Sequence, residues 1–423
     1  MSNGTMSRPA SSTDPADASD ASDGATILIA DKFDASGIET LESLGHRVES
    51  HPDLTPETLP AAIAEHDPQI LVVRSTKVRA DAIDAAGQMA LIVRAGAGTD
   101  NIDVAAASGR GISVANCPGK NSLAVAELAW GLILGCDRRI PDQVADLRAG
   151  VWNKKEYSKA PGLAGRTLGI VGLGRIGEAI ADRGNAFGMR VFAWSRSITE
   201  ARAESAGCHA CENLINLARM CDVVSVNVAA NDDTRHLISP EFLAAMKPGA
   251  ILVNTSRGSV IDQTALADAI GEKGIRAGLD VFANEPGSGT GDFEDDIVKL
   301  PGVYGTHHVG ASTDQAQTAI ATEAVRVIRV HLETGDTPNC INIASGTGAA
   351  SLTIRHFNRP GVLATICDVL SRGGLNVEDM ENVIYVGGEA ACARIRVSEP
   401  PTDDLAEALR GGEHVISVDV SAH

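Results

Sequence analysis

The sequence predicts an α/β protein with two parallel-sheet domains and a smaller C-terminal domain, and three observations favour this class. Short apolar runs alternate with amphipathic helical segments over most of the chain, as in parallel sheets covered by helices. A glycine-rich turn joins two of these runs within residues 167–195. The last part of the chain changes to a β-α-β-β-α-β order. A length of 423 residues also exceeds what one hydrophobic core usually organises.

Residues 1–24 are rich in Ser, Asp, Ala and Pro and almost lack large apolar side chains. Such a segment cannot offset the entropy of ordering, so we expect an acidic disordered tail. A flavodoxin-like domain is predicted over 25–118 and completed by 309–335. Its pattern predicts strands over 25–30, from 48, over 69–73 and over 90–93, and helices over 37–44, 59–65 and 80–86.

Arginines follow the third and fourth of these strands, as Arg74 and Arg94, each beside small residues. In parallel α/β sheets, ligands bind beyond the carboxyl ends of the strands. Two guanidinium groups there favour a site for a carboxylate or a phosphate, and hence a substrate-binding domain. The alternative is that both arginines form surface salt bridges.

The second parallel-sheet domain, predicted over 119–308, is organised around the turn after the strand at 168–171. Gly172, Gly174 and Gly177 have G-x-G-x-x-G spacing, and a helical segment and a second apolar run follow them. The first glycine allows a tight turn, the second allows a pyrophosphate to approach the backbone, and the third allows the helix to pack on the strand. This arrangement predicts a Rossmann dinucleotide-binding domain.

The second strand of that unit lacks the acidic residue that usually binds the 2′-hydroxyl of an NAD ribose. Ser195 and Arg196 stand there instead. A hydroxyl beside a guanidinium suits the 2′-phosphate of NADP better than a bare diol, so the local chemistry leaves NADP open. In the alternative, Arg196 lies on the adenine ring or points into solvent.

Three polar residues stand near the carboxyl ends of later strands: Arg257, Glu285 and His308. An arginine binds a substrate carboxylate with two N–H groups. A histidine accepts the hydroxyl proton as hydride leaves for the nicotinamide, and a neighbouring carboxylate fixes its tautomer. Each residue alone is more often structural, but together they favour oxidation of a 2-hydroxy acid. The strands are predicted over 223–228, 251–254, 275–280 and 303–306, with a buried helix over 123–138 and a long helix over 315–332 that returns to the first domain.

A linker is predicted over 336–350, and a ferredoxin-like βαββαβ domain over 351–423. The pattern predicts its strands over 352–356, 383–386, 390–397 and 415–420, and its helices over 361–371 and 404–409. No cluster of nucleophiles or metal ligands stands out in it.

The composition limits the classes of partner. The formal net charge of −19 argues against nucleic acid and against an anionic membrane surface. No apolar run approaches the roughly 20 residues that span a bilayer, and the N-terminus lacks a signal pattern, so we expect a cytoplasmic protein. Cys208 and Cys211 form a C-x-x-C without a second pair, so we expect ordinary thiols and no metal.

Several segments together resemble the D-isomer-specific 2-hydroxyacid dehydrogenases, from about residue 26 to residue 335. They are VRSTKV, VRAGAGTDNID, NCPGKNSLAVAEL, VWNK, GIVGLGRIG, NTSRGSVID, GLDVFANEP and HHVGAST. The tail IRHFNRPGVLATICDVLSRGGLNVEDM looks like an ACT domain, a module that senses amino acids. The resemblance therefore covers nearly the whole chain.

The resemblance implies roles for individual residues. It implies that Arg257, Glu285 and His308 are catalytic. Cofactor contacts are implied for Gly172, Gly174, Arg175, Ile176, Gly177, Ser195, Arg196, Thr255, Ser256, Asp280, Val309, Gly310 and Ala311. The substrate side is implied to comprise Arg74, Ser75, Arg94, Gly98 and Asn116. In the ACT domain, His356, Asn358 and Asn376 match effector positions and are expected to converge on one amino acid, or else are turn residues.

Within that family, the sequence resembles the members that oxidise 3-phosphoglycerate to 3-phosphohydroxypyruvate at the entry to L-serine synthesis. This implies NAD as the cofactor, with NADP left open, and a homo-oligomer (a dimer or tetramer) whose ACT domains pair edge to edge and bind L-serine as a feedback inhibitor. One alternative is a glyoxylate/hydroxypyruvate reductase of the same family. Another is a dinucleotide-sensing corepressor with little turnover, which the retained Arg257, Glu285 and His308 disfavour.

This chain departs from the family pattern near the cofactor. Ser195 replaces the usual ribose-binding Asp, and Asn227 and Ala229 stand where His and Pro are usual. These departures bear on the preference between NAD and NADP and leave the hydride-transfer residues intact.

Overall fold

The computed structural model describes residues 24–286, 290–344 and 348–422. The predicted disordered tail lies, apart from residue 24, outside the described residues. The chain divides into two compact units, residues 1–342 and 343–423. The first contains two parallel sheets and the second contains one antiparallel sheet, which confirms the predicted fold class.

The first sheet is a five-stranded parallel sheet covered by helices. Its strands are β1 (Thr26–Ile29), β2 (Arg47–Ser50), β3 (Ile70–Val73), β4 (Leu91–Arg94) and β5 (Ser113–Asn116), and its first helices are α1 (Ala35–Ser43), α2 (Leu59–His66), α3 (Ala80–Asp84) and α4 (Val104–Gly109). The spatial order is β2-β1-β3-β4-β5. The sequence analysis missed α4 and β5, because both are short and rich in small residues and give little periodic signal.

The second sheet has seven parallel strands. They are β6 (Thr167–Val171), β7 (Arg190–Trp194), β8 (His209–Ala210), β9 (Val223–Val226), β10 (Ile251–Asn254), β11 (Arg276–Leu279) and β12 (Val303–Gly305). The helices are α5 (Ser122–Arg138), α6 (Ile140–Arg148), α7 (Lys154–Tyr157), α8 (Arg175–Ala186), α9 (Glu200–Ser205), α10 (Leu214–Met220), α11 (Pro240–Ala245) and α12 (Gln263–Lys273). The order β12-β11-β10-β9-β6-β7-β8 puts a topological switch point between β6 and β9, where parallel sheets bind ligands.

Two long helices connect the halves of this unit. The predicted buried helix is α5, and its Trp130 is buried, donates to the carbonyl of Ile180 and stacks on Phe187. The second is α13 (Asp314–Thr334). Its residues Ile320 and Val327 pack into the core of the first sheet, so the chain returns there as predicted.

Residues 337–342, which we call the strap, form hydrogen bonds with the edge of the first sheet. The N–H of Ile341 donates to the carbonyl of Val114 at 2.8 Å. The side chain of Asn342 accepts from the N–H of Val114 at 2.8 Å and donates to the carbonyl of Ile112 at 2.9 Å. The segment predicted to begin a linker is therefore fixed to β5 in this structure.

The second unit is an antiparallel sheet in the order β14-β15-β13-β16. Its elements are β13 (Ala350–Phe357), α14 (Val362–Arg372), β14 (Val377–Ile384), β15 (Ala390–Val397), α15 (Asp403–Arg410) and β16 (Val415–Ala422). The strand predicted over 383–386 was placed too late, because β14 is an exposed edge strand with charged residues and no apolar alternation. In the described part of the chain, no helix combines the length and the apolar character needed to cross a membrane.

Candidate active site

The glycine-rich turn has the geometry that its spacing predicts. Gly172 has φ +96°, and a Cβ there would meet the backbone of Asn227. A Cβ on Gly177 would collide with the carbonyl of Gly172, so α8 packs directly on the turn. Gly174 faces open space at the N-terminus of α8, where free N–H groups attract a phosphate. This cradle fits a dinucleotide pyrophosphate.

Of the other predicted cofactor residues, some have side chains that are engaged within the protein and one has a buried atom without a hydrogen-bond partner among the described residues. Arg175 donates to the carbonyl of Pro118 at 2.5 Å, so its side chain joins the two sheets. Ile176 packs against the core beneath α8. The Oγ1 atom of Thr255 is buried without a hydrogen-bond partner in the described structure, which suits a contact with a bound group, whereas Ser256 donates to the side chain of Asn254.

The end of β7 carries an ion pair that the sequence analysis missed. Ser195 follows β7, and the guanidinium of Arg196 lies 2.6 Å from the carboxylate of Asp233. Both side chains are well exposed. A carboxylate therefore lies at the ribose end of the cleft after all, although it comes from the loop after β9.

His308 and Glu285 form the expected pair. The Nδ1 atom of His308 lies 2.7 Å from Oε2 of Glu285, and the other carboxylate oxygen accepts the N–H of Phe282. Burial opposes ionisation of Glu285, but the hydrogen bonds from His308 and Phe282 and the charge of Arg257 together hold its pKa below the usual value. An ionised Glu285 makes Nδ1 the donor, which leaves Nε2 of His308 as a proton acceptor.

Asp280, implied as a cofactor contact, shapes the turn that carries His308. Its carboxylate accepts from Thr306 Oγ1 at 2.6 Å and from the N–H groups of Val309 and Gly310 at 2.9 Å each. Asp280 is 1% exposed, and His308 has φ +52°, a left-handed conformation that is costly for a non-glycine residue. The structure thus uses Asp280, Val309 and Gly310 to hold this turn. The carbonyl of Ala311 accepts from the side chain of Gln317.

Arg257 is held by a carboxylate from the other sheet. Its Nε and Nη2 atoms each donate to Asp100 at 2.9 Å, and Nη1 donates to the carbonyl of Ser256 at 2.8 Å. The hydrogen bonds from Arg257 lower the pKa of Asp100. A guanidinium has five N–H groups, so two of those of Arg257 remain for a substrate carboxylate. Asp100 follows β4, the strand that ends at Arg94. The expectation that site residues lie beyond the carboxyl ends of parallel strands therefore applies to Asp100 as well.

Of the two predicted substrate arginines, Arg94 lies within reach of the charges of both Arg257 and Arg74. Burial, together with the charge of Arg257, lowers the pKa of Arg94 to about 10, and its Nε atom is buried without a partner in the described structure. Arg74 donates to Ser312 Oγ at 3.0 Å, and burial lowers its pKa. Asp31 organises the Arg74 turn because it accepts from three consecutive N–H groups and from the Ser75 hydroxyl. Three cationic side chains therefore converge.

Gly98 and Asn116 complete the substrate side in indirect ways. A Cβ on Gly98 would meet Nη2 of Arg257, so a larger residue there would displace that guanidinium from its present position. Asn116 donates to the carbonyl of Ala97 at 2.7 Å, and Asn339 in the strap donates to the carbonyl of Asn116. Neither residue offers its side chain openly to a ligand.

The three predicted effector residues do not converge within one chain. His356 is buried at one end of the second unit's sheet, where its ring nitrogens contact Asn382 and the carbonyl of Phe357. Asn358 is at the same end and donates to the carbonyl of Gly388. Asn376 precedes β14 at the opposite end, roughly 20 Å away along the strands. Within one copy these three residues are therefore not brought together, because β14 runs the full length of the sheet.

Comparison with known proteins places this arrangement in a family. The model for the NAD binding domain of D-isomer specific 2-hydroxyacid dehydrogenases matches residues 130–310. A D-3-phosphoglycerate dehydrogenase from Methanocaldococcus jannaschii is 41% identical over 319 residues, which cover 75% of this chain and 59% of that protein. A hydroxypyruvate reductase from Thermotoga maritima is 42% identical over 263 residues, covering 61% of this chain and 83% of that protein.

A solved structure agrees with these matches. The NADPH-dependent glyoxylate/hydroxypyruvate reductase from Sinorhizobium meliloti, in complex with NADP and malonate, has a TM-score of 0.65 and 29% identity, covering 75% of this chain and 96% of that one. The present chain spans about 59% of the length of the Methanocaldococcus relative. Since it covers 83% of a relative that is 42% identical, the chain belongs to the D-isomer specific 2-hydroxyacid dehydrogenase family.

Proposed function

We propose that the protein is a D-3-phosphoglycerate dehydrogenase, which oxidises 3-phosphoglycerate to 3-phosphohydroxypyruvate at the start of L-serine synthesis. The observation that carries this proposal is the convergence of Arg74, Arg94 and Arg257. The charge of Arg257 also acts on Glu285, the partner of His308. A 2-hydroxy acid with one carboxylate needs one arginine. Two further guanidinium groups provide the charge that a phosphate requires. A cytoplasmic location remains part of the proposal.

Each of the three proposed catalytic residues has a separate role in the reaction. Arg257 binds the substrate carboxylate with its two remaining N–H groups and withdraws charge from the reacting carbon. Nε2 of His308 accepts the hydroxyl proton, while Glu285 holds Nδ1–H and stabilises the imidazolium that forms. A bound nicotinamide supplies the hydride acceptor. The left-handed turn at His308, held by Asp280, sets the direction of the acceptor nitrogen.

Substrate comparison tests the assignment of the phosphate. We expect the wild-type protein to prefer 3-phosphoglycerate over glycerate in kcat/KM, and Arg74→Gln to remove most of that preference while turnover of glycerate changes little. Lys32, which follows β1 at the same edge and is exposed, provides the matched control Lys32→Gln. An unchanged preference in Arg74→Gln would contradict the proposed phosphate contact.

We propose NAD as the preferred cofactor and keep NADP open. The carboxylate of Asp233 beside Arg196 supports NAD, because it adds negative charge where a 2′-phosphate would lie. The same pair is exposed and therefore weak, so Arg196 can exchange partners.

We propose a homo-oligomer, and the exposed face of α6 supports it. Ile140, Val144 and Leu147 lie on one face of that helix and are all exposed, and none of its nine residues is buried. Trp152 follows with 80% of its surface exposed. An apolar patch of this size commonly marks a protein interface, and a second copy presents the same patch under two-fold symmetry.

We propose that the second unit binds L-serine between two copies. His356 aligns with Ala391 and Ile384, whereas Asn376 precedes the other end of β14. Antiparallel pairing of two β14 edges would bring Asn376 of a second copy to the end that carries His356 and Asn358. Serine should inhibit the wild-type enzyme, and His356→Ala and Asn376→Ala should both abolish inhibition. A wild-type enzyme that is indifferent to serine would contradict this part of the proposal.

A glyoxylate/hydroxypyruvate reductase is the second candidate. The Ser195–Arg196 pair favours it, since a neutral hydroxyl beside a guanidinium suits NADPH. Efficient reduction of hydroxypyruvate with NADPH, without oxidation of 3-phosphoglycerate, would establish this alternative.

A further inference from the structure

A group of three potential metal ligands lies outside the active site, at the edge of the first sheet. Glu49 belongs to the edge strand β2, His51 follows that strand directly, and His66 ends α2. One ligand atom from each residue lies within 4.8 Å of the other two. In residues 24–286, 290–344 and 348–422, no other trio of histidine, cysteine or acidic side chains meets this spacing.

The facing atoms lack hydrogen-bond partners. Nε2 of His51 is buried and has none in the described structure. It points to Oε2 of Glu49 at 3.9 Å, which is too long for a hydrogen bond, while Oε1 of Glu49 accepts from Arg47. The rings of His51 and His66 lie 4.9 Å apart and are tilted by 37°. A buried nitrogen without a partner is costly, and a ligand between these groups removes that cost.

The donor set suits a particular class of ion. Two imidazole nitrogens and one carboxylate oxygen form a common zinc-binding set. Ligand atoms of a tetrahedral zinc ion lie about 3.3 Å apart, given bonds of about 2.0–2.1 Å. Rotation of these partly exposed side chains closes the difference from 4.8 Å.

We propose that Glu49, His51 and His66 bind a divalent zinc-type ion that ties β2 to α2. The ion acts as a structural cross-link at the outer strand β2, which lies two strand positions from β3 and three from β4, the strands at whose ends Arg74 and Arg94 lie. The site is independent of the proposed reaction. Binding to the folded state alone raises the stability of the protein by mass action.

Metal binding by the full-length protein tests the proposal. After treatment with a chelator, Zn²⁺ is titrated into the wild type, His51→Gln and His66→Gln, and Co²⁺ absorption reports the ligands. The expected result is a stoichiometric site with nitrogen and oxygen ligands in the wild type, with a higher melting temperature in zinc. Each variant should lose both the site and the zinc-dependent shift, while its circular dichroism and turnover stay unchanged.

Control variants separate this site from other zinc ligands. His209→Gln, in the second sheet, should bind like the wild type. His308→Ala removes binding at the His308–Glu285 pair and should retain the proposed site. Absence of a stoichiometric site in the wild type, equal binding by His66→Gln and the wild type, or thiolate-to-cobalt bands that identify cysteine ligands would each overturn the proposal.

Discussion

At the scale of single residues, acidic side chains position the basic groups of the active site. Asp31 holds the Arg74 turn, Asp100 holds Arg257, and Asp280 holds the His308 turn. These carboxylates explain how two of the three arginines and the histidine keep fixed orientations in one cleft. The sequence located the basic residues by their strand ends, but which acid serves which base depends on contacts between the two sheets.

Glu285→Gln tests the pairing with His308. The pKa of Glu285 lies below its usual value, so its carboxylate is ionised at neutral and alkaline pH. The negative charge is lost only when the pH falls through that lowered pKa. The amide cannot stabilise the imidazolium, so kcat should fall by about a hundredfold throughout that range. Steady-state kinetics across pH measure this. A variant with wild-type kcat above neutral pH would refute the pairing.

Asp280→Asn tests the positioning of the His308 turn. The N–H groups of Val309 and Gly310 donate to different oxygens of Asp280, and the amide offers only one acceptor oxygen, which should lower the free energy of unfolding by about 1–3 kcal/mol. We also expect kcat to fall with little change in cofactor affinity, as measured by fluorescence titration. Loss of cofactor affinity with unchanged kcat would instead favour the direct cofactor contact implied by the resemblance.

Asp233→Ala tests the choice of cofactor. One charge at about 4 Å in water is worth about 1 kcal/mol, so the ratio of kcat/KM for NADP to that for NAD should rise about fivefold. Asp232→Ala, in the same short turn, is the matched control and should change this ratio less. A ratio that stays constant in Asp233→Ala would show that the Arg196 pair does not select the cofactor.

At the scale of elements, the strap and α13 join the end of the first unit to β5. Glu323 in α13 is held by Arg326, Asn339 and Lys120, and the hydrogen bond from Arg326 is the largest cause that lowers its pKa to about 2. Asn339 also donates to the carbonyl of Asn116, so it links Glu323 to β5. The strap therefore connects the segment before the second unit with a strand that borders the substrate cleft.

Glu323→Gln tests this connection. An unfolded glutamate has a pKa of about 4.3, so the stabilisation is complete above that pH and is lost as the pH falls towards 2. With a discount for the exposed Arg326 and Lys120, the variant should lose about 2 kcal/mol of unfolding free energy at pH 7 and about half of that near pH 3. Glu333→Gln, on the same helix but exposed, is the control. Equal losses at both pH values would exclude an electrostatic origin.

The sequence predicted best those helices and strands whose apolar residues form a clear run or period. Strands such as β3 and β10 are wholly buried and gave clear apolar runs, so the sequence located them well. The strand β14 exposes most of its residues, and the strap contributes side-chain hydrogen bonds in place of apolar residues. Neither feature produces a periodic signal, and so neither could be located from the sequence.

At the scale of the whole molecule, the exposed apolar face of α6 should determine the assembly. Leu147→Glu places a charge in the patch and should shift the protein to a smaller species in analytical ultracentrifugation. Leu44→Glu, at the residue that directly follows α1 and is 44% exposed, should leave the assembly unchanged. An unchanged sedimentation coefficient for Leu147→Glu would remove α6 from the interface.

The reaction itself remains the central claim, and initial rates of cofactor reduction with 3-phosphoglycerate at alkaline pH test it most directly. NAD and NADP should be compared side by side, with His308→Ala as the variant that lacks the proton acceptor. We predict turnover with NAD in the wild type and a loss of about 10²–10⁴-fold in the variant. No turnover of 3-phosphoglycerate with either cofactor, together with active reduction of hydroxypyruvate, would contradict the account.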